Sequence, residues 1–326
     1  MQIFACPACD GPVFFDNLLC ACGTAVAFDP EAQRFKRAGS TCVNRGTIDC
    51  NWEAPEAGAL CRSCAMTAVV PDPGEDANRL RWAEAERAKR WVLANLARWS
   101  WLTARDPGPL PVFELLAEST AAGPAKVTMG HADGRVTINV NEADPATRVA
   151  RRVALGEPYR TMIGHFRHEL GHFFFERLGE QEGFTPAFRD LFGDEQADYG
   201  AALAAHYEKG SVMADEAHIT GYATSHPHED WAETFAHLLH LVDIADSFVA
   251  AGLTAPDLPA DAYAEAEADR IVTAATGLSI ALNHVNRSMG LPDLYPFVLT
   301  PPIREKLRFV HRWMRAGPVH GLGSPG

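Results

Sequence analysis

His168-Glu169-Leu170-Gly171-His172 lies inside an apolar run, from Met162-Ile163-Gly164-His165-Phe166-Arg167 before it to Phe173-Phe174-Phe175 after it. The run predicts a buried helix. On a helix, residues four apart share a face, so both imidazoles of the HExxH pattern can reach one ion. Glu169 lies about 100° further round the helix, beside that ion and free to act on a water. Two histidines and a glutamate in a buried helix need partners, and a divalent metal supplies them.

Zinc in a hydrolytic site takes three protein ligands and keeps one position open. A third histidine in HExxHxxGxxH spacing is excluded, because those later positions hold Phe175 and Leu178. The leading candidate is in His226-Pro227-His228-Glu229-Asp230-Trp231-Ala232-Glu233-Thr234-Phe235. Glu229 and Glu233 are four apart on one helix face. One can bind the metal while the other accepts a hydrogen bond from the far nitrogen of a liganding histidine. Glu229 leads as ligand. Glu233, and the earlier set Asp194, Glu195 and Asp198, are the alternatives, with Asp198 supporting the site from behind if Glu229 is the ligand. Acidic residues also favour a solvated first helical turn without any metal.

All eight cysteines fall between Cys6 and Cys64. Cys6-Pro7-Ala8-Cys9 and Cys61-Arg62-Ser63-Cys64 have the spacing of zinc knuckles. Eight thiolates fill two four-cysteine sites: Cys6, Cys9, Cys20 and Cys22 for one, and Cys42, Cys50, Cys61 and Cys64 for the other. Such sites are closed and structural, and they stabilise a segment whose own core is too small. No basic and apolar leader is read at the N-terminus, so disulfides are not expected and a cytoplasmic setting is.

The chain has 326 residues, 47% of them hydrophobic, and a net charge of −13. That charge argues against general binding to nucleic acid or anionic membrane. Residues 1–65 carry five Lys/Arg against seven Asp/Glu, so the cysteine module has no basic stripe and points instead to recognition of a protein partner or to a covering domain for the catalytic cleft. No apolar run is long enough to span a membrane.

The expected organisation is a zinc-ribbon module at 1–68, a catalytic domain at 77–316 and a disordered tail at 317–326. Pro71-Asp72-Pro73-Gly74 reads as a linker. A helix is expected from Ala77 to Leu102, with Val92, Leu96 and Trp99 facing inward. Lys126–Met129 and Arg135–Val140 flank a turn at Asp133-Gly134 and predict a hairpin. Its second strand, Arg135–Val140, is read either as an edge to which substrate adds or, equally, as a plain core strand. Further helices are expected near 144–155, 160–178, 193–208, 229–249, 260–276, 278–289 and 302–315. The fold class is therefore α+β: a mainly helical, zincin-like domain with a small hairpin or sheet, preceded by the ribbon.

Several motifs carry a resemblance. They are the run from Glu157-Pro158-Tyr159 to His172, then Asp198-Tyr199, Glu229-Asp230-Trp231-Ala232-Glu233-Thr234, Asn286-Arg287-Ser288-Met289-Gly290-Leu291-Pro292 and Tyr295-Pro296-Phe297. Together they resemble the bacterial zinc-binding metallopeptidase family with an N-terminal zinc ribbon, over nearly the whole chain. That resemblance implies a gluzincin-type catalytic domain. The chain departs from the family at Cys20-Ala21-Cys22, where CxxC is usual, which implies tighter geometry in the first cysteine site. A more distant similarity is to the anthrax lethal factor type of catalytic domain. It implies that Glu229 binds the zinc with Glu233 behind it, and that Tyr222, seven residues earlier, faces the metal and stabilises an oxyanion. His226 and His228 are alternatives for that role.

These readings lead to a zinc-dependent metallopeptidase with one catalytic and up to two structural zinc ions. Glu169 is its general base and a peptide or protein its substrate. Two alternatives stand beside it: a non-catalytic ribbon adaptor, and a zinc hydrolase of a non-peptide amide or a protein conjugate.

Overall fold

The computed structural model describes residues 2–155, 160–210 and 212–318. The expected tail beyond Pro318, with His320, and the Glu157-Pro158-Tyr159 motif lie outside the described residues. The architecture is the expected one, mixed and mainly helical with small sheets. It divides into two compact units. The first holds residues up to Arg151, Thr161–Phe166 and the stretch from Gly317. The second holds Arg152–Arg160 and Arg167–Ala316.

The first unit opens with two small antiparallel sheets, β1 (Phe4–Ala5) with β2 (Pro12–Val13) and β3 (Val26–Asp29) with β4 (Arg34–Arg37). Phe28 is fully buried at their centre, with the rings of Phe4, Phe15 and Phe35 edge-on at 5.1–5.4 Å. The short helices α1 (Arg45–Ile48) and α2 (Arg62–Ala65) carry the chain to β5 (Thr67–Val69) and to the long helix α3 (Asp76–Ala97). Val92, Leu96 and Trp99 are buried as expected, although Trp99 lies just beyond the helix end.

The sheet that follows decides between the two readings of the second hairpin strand. β6 (Val112–Leu116), the two-residue strands β7 (Ser119–Thr120) and β8 (Gly123–Pro124), β9 (Gly130–Ala132) and β10 (Arg135–Asn139) come next. The four-stranded sheet runs β5-β6-β10-β9. The predicted turn is present, with Asp133 and Gly134 both at positive φ (49° and 74°), as a tight hairpin of the primed type requires. The first hairpin strand begins at Gly130 rather than Lys126. β10 is not an edge: it pairs in parallel with β6 on one side and antiparallel with β9 on the other. Val136, Ile138 and Val140 are fully buried, so this strand is core and has no free side for a substrate.

α4 (Pro145–Leu155) leads to α5 (Met162–Gly179), the helix of the HExxH pattern. Thr161 caps α5 by accepting from the Gly164 amide at 3.0 Å. Phe166, at the end of the part of α5 that belongs to the first unit, packs edge-on to Phe113 of β6 at 5.7 Å.

The second unit is helical: the remainder of α5, then α6 (Phe184–Phe192), α7 (Tyr199–Lys209), α8 (Pro227–Ala250), α9 (Ala268–Ser288) and α10 (Pro301–Arg315). The helix expected at 193–208 is thus shorter, and α6 precedes it. α6 places Phe184, Phe188 and Phe192 on one face, where they meet the fully buried Trp231 of α8. The two helices expected at 260–276 and 278–289 are one, α9, running through Gly277.

α8 is the axis of this unit. His226 caps it, its ring nitrogen accepting from the His228 amide at 3.1 Å, and Pro227 opens its first turn. Asp230 is buried, and burial raises its pKa, but Lys306 of α10 reaches it at 2.5 Å. Lys306 is itself 5% exposed and also donates to the Ala217 carbonyl at 2.7 Å. Replacing Lys306 by methionine strands the Asp230 charge without its partner. The expected loss, read by urea unfolding, is about 3–5 kcal/mol. An unchanged midpoint would show that the pair does not hold α10 to α8. No helix among the described residues is long and apolar enough to cross a membrane.

Candidate metal centre

α5 and α8 approach each other unusually closely, and Gly171 is the reason. A Cβ on Gly171 would lie 2.9 Å from the Ala232 Cα and 3.3 Å from both the Ala232 carbonyl oxygen and the Phe235 ring. No side chain fits there. The Trp231 indole N–H donates to the Gly171 carbonyl at 2.7 Å, buried, and fixes the register of the two helices. That register turns the first turns of α8 towards the histidine face of α5. Gly171→Ala is therefore expected to push α8 away, lowering stability by about 1–3 kcal/mol and weakening metal binding with it. Thermal unfolding with and without added zinc checks this; a variant with unaltered zinc-induced stabilisation would contradict it.

The closeness brings together three donor atoms. His168 Nε2 and His172 Nε2 are 3.2 Å apart. Glu229 Oε2 lies 3.0 Å from the first and 3.4 Å from the second. A tetrahedral zinc with bonds of about 2.0–2.1 Å sets its ligand atoms about 3.3 Å apart. The donor set fits such an ion in element type and in spacing. Glu229 is 1% exposed, and its Oε2 is buried without a well-formed hydrogen bond.

The charges tell the same story. Burial works against the charged form of His168, but Glu229 and Glu233 outweigh it and hold its pKa well above the usual imidazole value. Burial likewise opposes ionisation of Glu229, yet the two imidazoles beside it keep its pKa well below the usual carboxylate range. Carboxylates and imidazole nitrogens converge on one point that calls for positive charge. Glu233 stands behind: His168 Nδ1–H donates to its Oε1 at 2.7 Å, which leaves Nε2 free to face the centre. Burial raises the Glu233 pKa, but the bond to His168 and then the charges of His168 and His237 bring it below the ordinary value.

The other candidates fall elsewhere. Glu195 is bound by Arg189, Nε to Oε2 at 2.7 Å, and Asp194 lies at the edge of the same pair. Asp198, expected in support of Glu229, instead caps α7 by accepting from the Ala201 amide at 2.9 Å. The residue that does support Glu229 is its neighbour: the Tyr199 hydroxyl donates to Glu229 Oε1 at 2.5 Å. The reading of individual residues missed Tyr199, although the Asp198-Tyr199 pair was among the motifs that carried the resemblance. Tyr222 starts a single 3-10 turn, and its ring centre is 5.9 Å from that of His168. Burial first, and then the Glu229 charge, push the Tyr222 phenol far above its ordinary pKa, so it stays a hydrogen-bond donor. His226 is committed to the α8 cap, and its second nitrogen lies 3.0 Å from the Ala197 carbonyl. His228 packs at a tilt against Phe175, ring centres 4.5 Å apart, and burial lowers its pKa to about 4. Glu169 is 7% exposed, and its charge is felt by Tyr199.

Both cysteine sets also come together. Cys6, Cys9, Cys20 and Cys22 form one cluster; Cys42, Cys50, Cys61 and Cys64 form the other. Cys6–Cys22 and Cys9–Cys20 are separated by 3.8 and 3.7 Å between sulfurs. Cys50–Cys61 and Cys50–Cys64 are 3.6 and 3.8 Å apart. Those spacings are far beyond a disulfide bond of about 2.05 Å and match the roughly 3.8 Å edge of a tetrahedral zinc–thiolate site. Amides of Ala8, Cys61 and Cys64 donate to the sulfurs at 3.3–3.4 Å. The short Cys20-Ala21-Cys22 spacing is accommodated by Gly23, whose φ of 84° closes a turn back to the Cys20 carbonyl. The Thr24 hydroxyl brings the Cys22 thiol down to about 6.

Residues 78–313 match the family described as "Putative zinc-binding metallo-peptidase", and residues 3–75 match a zinc-ribbon domain. The chain belongs to this metallopeptidase family. Uncharacterized proteins of Mycobacterium bovis and Mycobacterium tuberculosis are each 38% identical to it over 326 residues, covering 95% of this chain and 94% of the relative. No solved structure matches it. The family, its zinc-binding character and the ribbon agree with the resemblance read from the motifs.

Proposed function

We propose that the protein is a zinc-dependent peptidase whose site is His168, His172 and Glu229 with Glu169 beside them. The observation that carries this reading is the triangle of three donor atoms 3.0–3.4 Å apart, with a further carboxylate next to the first histidine on the same helix. Zinc held there would supply a Lewis acid for a substrate carbonyl and a water acidified to about pKa 7. Glu169 is placed to take a proton from the attacking water and would return it to the departing amine. The Tyr222 hydroxyl donates to the oxygen that gains charge as the carbonyl carbon becomes tetrahedral. Glu233 fixes the His168 ring and its tautomer.

The two cysteine clusters would hold one structural zinc each, which makes about three zinc ions per chain with the catalytic one. We assign residues 1–68 to the ribbon module and 77–316 to the peptidase domain. Unbridged thiolates suit a reducing compartment, here the cytoplasm. The acidic balance of the ribbon suits a protein partner over a nucleic acid. A purely structural metal or an adaptor role would leave Glu169 and Tyr222 without a purpose.

The test is digestion of a peptide library by the purified protein, with and without a chelator and with zinc restored. Cleavage that the chelator stops and zinc restores supports the proposal. No cleavage by protein carrying its full zinc complement would turn the reading towards a non-peptide amide.

A further inference from the structure

The sequence motifs include one pair, Asp198-Tyr199, that the proposed mechanism does not use. In the structure the Tyr199 phenol reaches from α7 to the buried carboxylate of Glu229, 30 residues further along the chain. The two oxygens of that carboxylate are divided. Oε2 faces both histidine Nε2 atoms, and Oε1 takes the phenol proton at 2.5 Å. A free carboxylate can bind a metal through one oxygen or both, and it can rotate between these modes. With Oε1 held by the phenol, the carboxylate is turned so that Oε2 faces the ion.

We propose that Tyr199 is a positioning residue that holds Glu229 to single-oxygen binding, so that the ion keeps its fourth position for water and substrate. This rests on the peptidase reading of the site and adds a residue that neither the family match nor the motif assigns a role.

Two further observations bear on it. First, α7 has no buried residue. Tyr199 is 43% exposed, so its ring does not fill the core, and its reach to Glu229 is not a by-product of packing. Second, Asp198 caps α7 at the Ala201 amide and thereby fixes where the helix begins and where the next side chain points. In that contact the Tyr199 hydroxyl is the donor and the Glu229 carboxylate the acceptor. That proton is already committed to Glu229, so Tyr199 orients a ligand, a role distinct from the one proposed for Tyr222.

Removing a partner that orients a metal ligand weakens metal binding by about 10–100-fold. The experiment is a zinc competition titration with a chromophoric chelator on the full chain. It compares wild type, Tyr199→Phe, Asp198→Ala and His168→Ala. His168→Ala identifies the zinc equivalent that belongs to the α5–α8 site, and the cysteine-bound equivalents serve as an internal reference. Tyr199→Phe loses only a hydroxyl at a half-exposed position, so circular dichroism should be unchanged. Its site zinc is expected to bind at least tenfold more weakly, with the cysteine-bound zinc unaffected. Asp198→Ala should weaken the same zinc by a smaller factor. Equal site affinity in Tyr199→Phe and wild type overturns this inference and leaves the peptidase reading standing. A wild type with no zinc equivalent that His168→Ala removes overturns both.

Discussion

Glu169→Gln is expected to retain its zinc and to lose peptide hydrolysis by about 10³–10⁴-fold, towards the upper end of what a positioned general base contributes. The change keeps the size and hydrogen-bonding capacity of the side chain. It removes only the ability to take and return a proton. Glu169 is not one of the three donors that face one another, so the α5–α8 centre should keep its metal. Its 7% exposure means that the glutamine stays within the site and does not swing into solvent. The decisive comparison is turnover at equal zinc content. A fully loaded glutamine variant that cleaves at the wild-type rate would assign proton transfer to another group. A variant that loses the metal would move Glu169 into the ligand set.

The second large effect concerns the ribbon. Cys61→Ser is expected to release one zinc and to unfold the module around it. Cys61 is fully buried, its sulfur is 3.6 Å from that of Cys50, and it accepts from the Cys64 amide at 3.4 Å. A structural zinc supplies on the order of 10 kcal/mol of folding free energy. A core of a few phenylalanines and Trp52 in so short a segment does not replace it. Zinc analysis should show one fewer ion, and hydrogen exchange should show lost protection in β3, β4 and the Cys42–Cys64 segment. Unchanged zinc content and protection would mean that the cluster is not a metal site.

The contrast between what the sequence announced and what it hid has a physical pattern. α5 and α8 were legible because both carry long apolar runs, and their polar residues stood out as needing partners. The four-residue spacing of Glu229 and Glu233 put both carboxylates on one helix face, and the folded chain sets Glu229 against both histidines and Glu233 on the far nitrogen of His168. The Asp133-Gly134 turn was legible because positive φ has few residue solutions.

The misreadings arise where the decisive contact is distant in sequence. β10 looks like any strand of alternating apolar residues. Only its parallel pairing with β6, which starts 23 residues earlier, shows that it is internal. β5 joins the same sheet from the end of the cysteine segment, and no local pattern encodes a parallel neighbour. α6 escaped because its phenylalanines follow a glycine turn and include Pro186, which is tolerated only because it sits in the first turn. Gly277 suggested a break in α9, yet an exposed glycine costs only about 1 kcal/mol in a long helix. Gly171 was visible as a letter in the motif. Its role as the contact point for α8 is visible only in three dimensions.

The central claim is that one zinc ion sits among His168 Nε2, His172 Nε2 and Glu229 Oε2 with a side open to solvent. Anomalous diffraction at the zinc edge, from crystals of the zinc-loaded protein, tests it most directly. The account predicts one peak within bonding distance of those three atoms, with water in the remaining position, and separate peaks at the two cysteine clusters. A cysteine peak pair with nothing between the histidines, or an ion there closed off by a fourth side chain, would contradict it.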